Sequence, residues 1–515
     1  MNPSRLAPSL ALSMAAGLAV LAAFAAGVLA ASEGRLELTT IDKDTGKPIA
    51  CRMHLKNAAG RPKLVRESPA WDDHFIVPGR LALKLPLGNY TFEIERGPEY
   101  KTLSGYFTIN RFADDSKQVE LPRGIDMAAN GWWSGDLDVR RRPRDMRVLM
   151  DAEDLHVVPL VTWWTGGSEW TASAPPKEVL ARFEENRYCH WMAGEQTRPG
   201  GTLLYFNLPR PMKLGDPGDE FPPTLRYVEA ARKHPGAWID MSRPFGWDLP
   251  MLVAHGQVDS IQVAHGQICR SKLISTEEGG KGRDVKRYPG PSGTAKWSQE
   301  IYFRLLDCGL RVPPSAGSGS GVSPNPVGYN RVYVHVDGEL TCAKWWENFR
   351  AGRVTITNGP LLQPTVRGQL PGHVFQERKG RPVEFEIGLT ISLREPINYL
   401  EIIKNGRVEQ EIRFDEYAKT GRLPKLRFDQ SGWFLIRAVT DQPKTYRFGM
   451  TGPYYVEMDY ERRISKRSAE FFLDWVLERA RQIRLEDPDQ RRQVLECHRK
   501  ARDFWRDLVS RANAE

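Results

Sequence analysis

Gly131-Trp132-Trp133-Ser134-Gly135-Asp136-Leu137-Asp138-Val139-Arg140-Arg141 is the stretch on which the reading of this chain turns. Its apolar alternation marks a short strand. Side chains two apart on a strand face the same way, so Asp136, Asp138 and Arg140 are expected together at its C-terminal end. Strand C-termini are where an α/β barrel keeps its chemistry. Before this stretch, from Arg35 to Leu121, short alternating segments broken by turns predict a β-sandwich over residues 34–122. After it, strand alternates with helix in about seven βα units between Gly131 and Leu362, which predicts a parallel sheet or barrel over residues 124–364. Helices are expected at 144–155, 176–186, 225–233, 297–307 and 342–350. The Asn405-Gly406 hairpin signal sits in a second β-sandwich over 378–460, and 465–515 reads as a helical tail with a solvated charged face.

The 515 residues suit about three domains. The net charge of +9 is scattered among 64 acidic residues, which argues against a nucleic-acid partner. Six cysteines without a C-x-x-C pair imply neither a zinc knuckle nor a disulfide framework, and read as buried thiols. Fifteen Trp, with pairs at 132–133, 163–164 and 345–346, either line a cleft or fill the interior. Residues 1–31 carry Arg5, an Ala/Leu-rich run and small residues near Ala30, the pattern of a signal peptide or N-terminal anchor. The chain is therefore expected to be exported, whether periplasmic, cell-surface or secreted. A membrane contact is expected only through an uncleaved leader.

From Trp132 to about Tyr455 the chain resembles the CehA/McbA branch of the PHP (polymerase and histidinol phosphatase) metallohydrolases. The likeness rests on Gly135-Asp136-Leu137-Asp138-Val139-Arg140, Gly194-Glu195-Gln196-Thr197 with Gly200-Gly201-Thr202, Gly317-Ser318-Gly319-Ser320-Gly321, Arg331-Val332-Tyr333-Val334, Phe349-Arg350-Ala351-Gly352-Arg353 and Thr357-Asn358-Gly359-Pro360. The segment around Leu85–Ile94 resembles the carboxypeptidase-regulatory or transthyretin type of sandwich, with its Gly-x-Tyr corner. The resemblance implies a multidomain α/β plus all-β protein: a distorted (β/α)7 barrel flanked by two β-sandwiches and a helical tail. Family barrels hold two or three divalent metals through His, Asp and Glu, with a bridging water as nucleophile.

Position by position, this sequence departs from that ligand set. The two His of the opening motif are Asp138 and Arg140; the His after Gly-Gly is Thr202. The middle His-Pro is Arg243-Pro244, and the late Asp and His are Gly319 and Gly321. Asp136 and Glu195 are retained. Guanidinium cannot ligate a cation at ordinary pH. Arg140 and Arg243 therefore either pair with Asp138 and Glu195 as salt bridges, the preferred reading, or present forked donors to an anionic ligand.

A replacement metal site would draw on the repeat Ala254-His255-Gly256-Gln257 and Ala264-His265-Gly266-Gln267, with Asp259 between. Ten residues is not a known ligand spacing. His54 and His74 read as surface or packing residues, and His156 and His190 flank strands. The expected function is an exported, metallohydrolase-like pseudoenzyme. Its degenerate site (Asp136, Asp138, Arg140, Glu195, Thr202, Arg243) would bind a small polar molecule or glycan with no cofactor. The alternatives are a metal-dependent hydrolase of the PHP type using zinc, manganese or iron through His255, Asp259 or His265, and a structural assembly protein.

Overall fold

The computed structural model describes residues 33–515 apart from positions 66, 112 and 217. The leader at 1–31 lies outside the described residues. The protein is a mixed α/β, multidomain, strand-rich chain with several sheets and a C-terminal pair of helices.

Strand Glu33–Asp42 alternates exposed and buried side chains, the period of two that a sheet with one covered face requires. It pairs antiparallel with Arg80–Pro86 and parallel with Asp114–Leu121. A second sheet, in the order Ala70–Trp71, His74–Pro78, Ala50–Asn57, Gly88–Glu95, Leu103–Ile109, encloses with it a core that includes Leu38, Met53, Leu55, Phe75, Val77, Leu83 and Ile94. At the Gly-x-Tyr corner, Tyr90 Oη donates back to Pro86 O at 2.8 Å. Gly88 there has φ of 139°, a conformation that side chains disfavour.

The opening stretch lies in the largest sheet. Strand Trp132–Gly135 pairs antiparallel with Arg331–His335, and Gly135 pairs parallel with Val157 of strand Val157–Trp164. Val157–Trp164 continues in parallel to Arg187–Arg198, which pairs antiparallel with Gly201–Phe206, and that strand with Trp238–Met241. Ser260–Ala264 and Pro314–Ala316 follow in parallel. Helices Thr224–Arg232, Gly293–Asp307 and Cys342–Arg350 carry apolar faces into the same core, where Trp238 stacks on Phe349 with ring centres 4.8 Å apart.

The helix expected at 176–186 is instead a strand, Leu180–Phe183, in a hairpin with Arg187–Arg198. Glu184 turns the chain with φ of 55°. Local helix propensity is worth only tenths of a kcal/mol per residue, and an open strand edge next door overrides it. The 124–364 and 378–460 regions also share one continuous sheet, because Val354–Thr357 pairs antiparallel with Phe448–Thr451. Beyond it, Ile397–Lys404 and Arg407–Arg413 form a hairpin through Asn405 and Gly406, at φ 49° and 76°.

The tail forms two helices, Lys466–Gln482 and Pro488–Ser510, capped by Ser465, which accepts from Ser468 N, and by Asp487, which accepts from Asp489 N and Gln490 N. Its charged residues are not all solvated. Arg479 is 3% exposed and clamps Asp248 and Glu220.

Candidate functional site: the polar mouth beside Arg140

After Gly135 the opening stretch is held from both sides. Asp136 N donates to Val157 O, Leu137 N to Ala316 O, and Arg140 N to Ser320 O, at 3.2, 3.1 and 2.8 Å. Gly319 N donates to Asp138 O at 2.8 Å. The segment is threaded so closely that a Cβ at Gly321 would strike the Arg140 carbonyl, and one at Gly317 would strike Asp138 and Gln262. Glycines at these two positions thus serve backbone packing.

The six candidate side chains divide into two groups. Asp136 is fully buried; its Oδ1 accepts from Ser318 N and Asp138 N at 2.8 and 3.1 Å, and its Oδ2 from Gly328 N at 2.7 Å. Burial pushes its carboxyl up to about 6 against those donors. With both oxygens spent on backbone amides, Asp136 shapes the floor and is not presented to a ligand. Asp138, Arg140, Glu195, Thr202 and Arg243 line the mouth.

Arg140 Nη2 donates to Glu195 Oε2 at 2.6 Å, and its guanidinium lies 4.5 Å from the centre of the Trp164 ring. Glu195 Oε1 accepts from Thr197 Oγ1, whose hydroxyl also meets Thr202 Oγ1, both at 3.1 Å. The Asp138 carboxyl is pushed well above the usual carboxylate range, first by burial and then by Glu195 and Asp136, with Arg140 and Arg243 pulling the other way. Arg243 is half-buried and acts electrostatically on both Asp138 and His265. No described residue makes an ion pair or hydrogen bond with its guanidinium.

Beneath this ring sit Asp240, Gln262 and Ser320, none of them among the residues the sequence marks as candidates, together with His265, named there as a metal candidate. Asp240 Oδ1 accepts from Ser315 Oγ at 2.6 Å and from Ser260 Oγ, and the Gln262 amide adds a third side-chain contact to the carboxyl. Gln262 is fully buried with its amide against the Asp240 carboxyl, and Ser320 Oγ is buried with no partner among the described residues. His265 Nε2 lies 3.0 Å from Ser298 Oγ. Ser298 Oγ donates to Thr294 O, so the imidazole N–H is on Nε2, and the unpartnered, buried Nδ1 is an acceptor. Burial, then Arg243, lowers His265 to about 3, so the ring is neutral. The available signal was a polar residue inside an apolar strand: Asp240 in Trp238–Met241 and Gln262 in Ser260–Ala264.

Burial also raises Asp240, to about 6 from an ordinary 3.8. A carboxyl whose pKa rises on folding stabilises the fold fully below its unfolded value and loses that contribution as pH rises through the folded value. Between pH 4 and 7 the wild type is therefore expected to lose up to about 3 kcal/mol of stability relative to Asp240→Asn. Urea midpoints measured across that range test this; a difference between the two proteins that stays flat with pH refutes it.

The AHGQ residues do not converge. His255 Nε2 lies 3.0 Å from Cys497 O on the tail, Asp259 is engaged by Arg232 and Ile239 N, both at 2.7 Å, and His265 faces the mouth. His156 is buried against Ser134 Oγ at 2.9 Å. The donor set at the mouth does not fit a metal centre: its two carboxylates, Asp138 and Glu195, share the space with two guanidinium cations, and Glu195 is already ion-paired.

His54 and His74, remote in the sequence reading, come together around Asp73: their Nδ1 atoms lie 3.0 and 3.4 Å from the same Asp73 Oδ1. Both are buried. Arg52 Nε donates to His54 Nε2 at 3.1 Å, which leaves the ring proton on Nδ1, facing Asp73. That tautomer serves an internal hydrogen bond and withholds the lone pair a metal would need.

No family model matches the chain, and no curated protein matches it. A solved structure, the Bacillus anthracis TIE protein, is 21% identical over 21% of this chain and 19% of its own length, with a TM-score of 0.15. The matched region spans about a fifth of that protein. A likeness of that size carries no argument about fold or function.

Proposed function

We propose that this chain is a divergent, exported relative of the CehA/McbA PHP metallohydrolases, with a distorted barrel whose metal centre has given way to a binding cleft. The cleft takes a polar extracellular molecule such as a glycan and performs no metal-dependent hydrolysis. The parallel pairings on both sides of Val157–Trp164 and around Ser260–Ala264 support the barrel reading. The observation that carries the binding reading is Arg243: a half-buried cation with no ion pair or hydrogen bond among the described residues, which acts electrostatically on Asp138 and on His265, whose buried Nδ1 has no partner among them. Buried polar groups are ordinarily satisfied, and an open imidazole acceptor beside a guanidinium that makes no hydrogen bond to a described residue suits a hydroxyl-bearing ligand. Arg140 and Glu195 neutralise each other at the rim and hold Trp164 in place.

The test combines metal analysis with a binding assay. The purified chain, incubated with excess zinc, manganese or iron and then desalted, is expected to retain well under one ion. Stoichiometric metal that disappears in Asp138→Ala would instead establish the hydrolase reading. In a glycan-binding screen, Arg243→Ala is expected to weaken the bound glycan by at least about tenfold, the loss of one charge-assisted contact, without lowering the melting temperature. Unchanged affinity would leave the cleft a structural ion-pair cluster.

A further inference from the structure

We infer that the arginine-lined cavity next to this mouth holds the acidic group of a sugar, a carboxylate or sulfate carried on a polyhydroxylated ring. The inference rests on the cleft reading and adds a ligand class and a second set of residues to it. The cavity, about 590 Å³, lies between the Pro69–Trp71 segment of the N-terminal sandwich and the run Arg140-Arg141-Arg142-Pro143-Arg144. Arg140 belongs to both sites, since it lines the cavity while pairing with Glu195 in the mouth.

The other three guanidiniums share the cavity with Glu67, Asp145 and Glu169 but form no ion pair closer than 3.8 Å with a described carboxylate. Arg141 Nη2 donates to Ala70 O at 3.0 Å and its guanidinium lies 5.1 Å from the Trp71 ring centre; Asp145 acts on it electrostatically without a direct ion pair. Arg142 has no ion pair among the described residues, and the one carboxylate near Arg144 is Asp145, at 3.8 Å from Nε. With none of them held in a close ion pair, these guanidiniums keep N–H donors available, and a forked oxyanion accepts two parallel N–H bonds from one guanidinium. The volume falls in the range of small-molecule pockets, roughly 300–1,000 Å³.

Two features select a sugar over a nucleic acid. Single strands bind by stacking bases on open aromatic faces. Here the Trp71 and Trp164 faces are covered by Arg141 and Arg140. The cavity is also lined by Glu67, Asp145 and Glu169. These carboxylates repel a continuous phosphate backbone but accept hydrogen bonds from hydroxyls. The alternation of cation and carboxylate therefore matches a ligand with isolated acid groups among hydroxyls.

Calorimetric titration of the full chain with trigalacturonate, a sulfated galactotriose, neutral galactotriose, inorganic sulfate and a fifteen-residue oligothymidylate tests this. One of the two acidic sugars is expected to bind at least about tenfold more tightly than galactotriose and than sulfate alone, and the one that does identifies carboxylate or sulfate as the acid. Arg142→Ala and Arg144→Ala alter exposed side chains and are expected to keep the wild-type melting temperature. Each should weaken the acidic sugar by at least about fivefold, one lost charged contact. Equal binding of neutral and acidic sugars, no binding of either acidic sugar, tighter binding of the oligothymidylate, or wild-type affinity in both variants would overturn the inference. Arg243→Ala separates the two sites. Loss in Arg142→Ala and Arg144→Ala with none in Arg243→Ala sustains the cavity and sinks the cleft reading; the reverse pattern does the opposite.

Discussion

Arg52→Ala is expected to cost about 3–5 kcal/mol of stability, the range for removing one partner of a buried ion pair. Arg52 rises from strand Ala50–Asn57 of the N-terminal sandwich, and its guanidinium bridges Glu95 on the neighbouring strand and Glu153 at the end of helix Met146–Ala152. All three side chains are at most 5% exposed. After the substitution Glu95 retains Arg270 at 3.1 Å, whereas Glu153 retains Arg331 at 3.9 Å and the electrostatic pull of Arg394, with no close ion pair among the described residues. A nearly uncompensated carboxylate is then left inside the junction between the sandwich and the large sheet. Calorimetry is expected to show a lower, broader transition, and limited proteolysis an earlier cut between the two units. Arg52→Met with Glu153→Gln removes both charges and should recover most of the loss. A single-variant cost below about 1 kcal/mol would mean that the network contributes nothing to domain docking.

Trp505→Ala is expected to be as damaging, about 3–5 kcal/mol. Trp505 is fully buried on the last helix, stacks on Phe472 with ring centres 4.8 Å apart, and donates from Nε1 to Pro250 O at 2.9 Å. It thus joins the helix pair to helix Leu249–Ala254, alongside the Arg479–Asp248 and His255–Cys497 contacts. Alanine leaves a cavity, a broken stack and an unpaired carbonyl together. The expected signature is early hydrogen exchange across both tail helices while the sandwich strands stay protected. Uniform loss of protection throughout the molecule would show instead that the tail and the sheets unfold as one unit.

The sequence reading was most informative where the signal is local. Alternation in Arg35-Leu36-Glu37-Leu38 reports strand Glu33–Asp42, because a sheet with one covered face imposes period two. The apolar run His156–Trp164 reports strand Val157–Trp164, and Asn405-Gly406 a two-residue hairpin, because few other residues tolerate positive φ twice in succession. The residues of the candidate mouth were legible in part for the same reason. Asp138, Arg140, Glu195 and Arg243 occupy positions that a motif comparison marks without reference to contacts. Asp136 looked equivalent to them, yet only the closing of Ser318 and Gly328 over it shows that its oxygens belong to the backbone.

What the amino-acid order determined by itself was the character of each segment: strand-rich at both ends, mixed in the middle, helical in the tail, with arginines standing where a metal site would have placed histidines. Tertiary structure alone decided which partners those groups meet. It made Leu180–Phe183, inside the expected helix, a strand because the edge of Arg187–Arg198 was open, and it drew His54 and His74 onto Asp73. It also gave Arg140 a direct ion pair with Glu195, while Arg243 acts on Asp138 with no ion pair among the described residues. Pairing of this kind depends on distances between residues far apart in the chain, and so on how the sheets close, which no local pattern encodes.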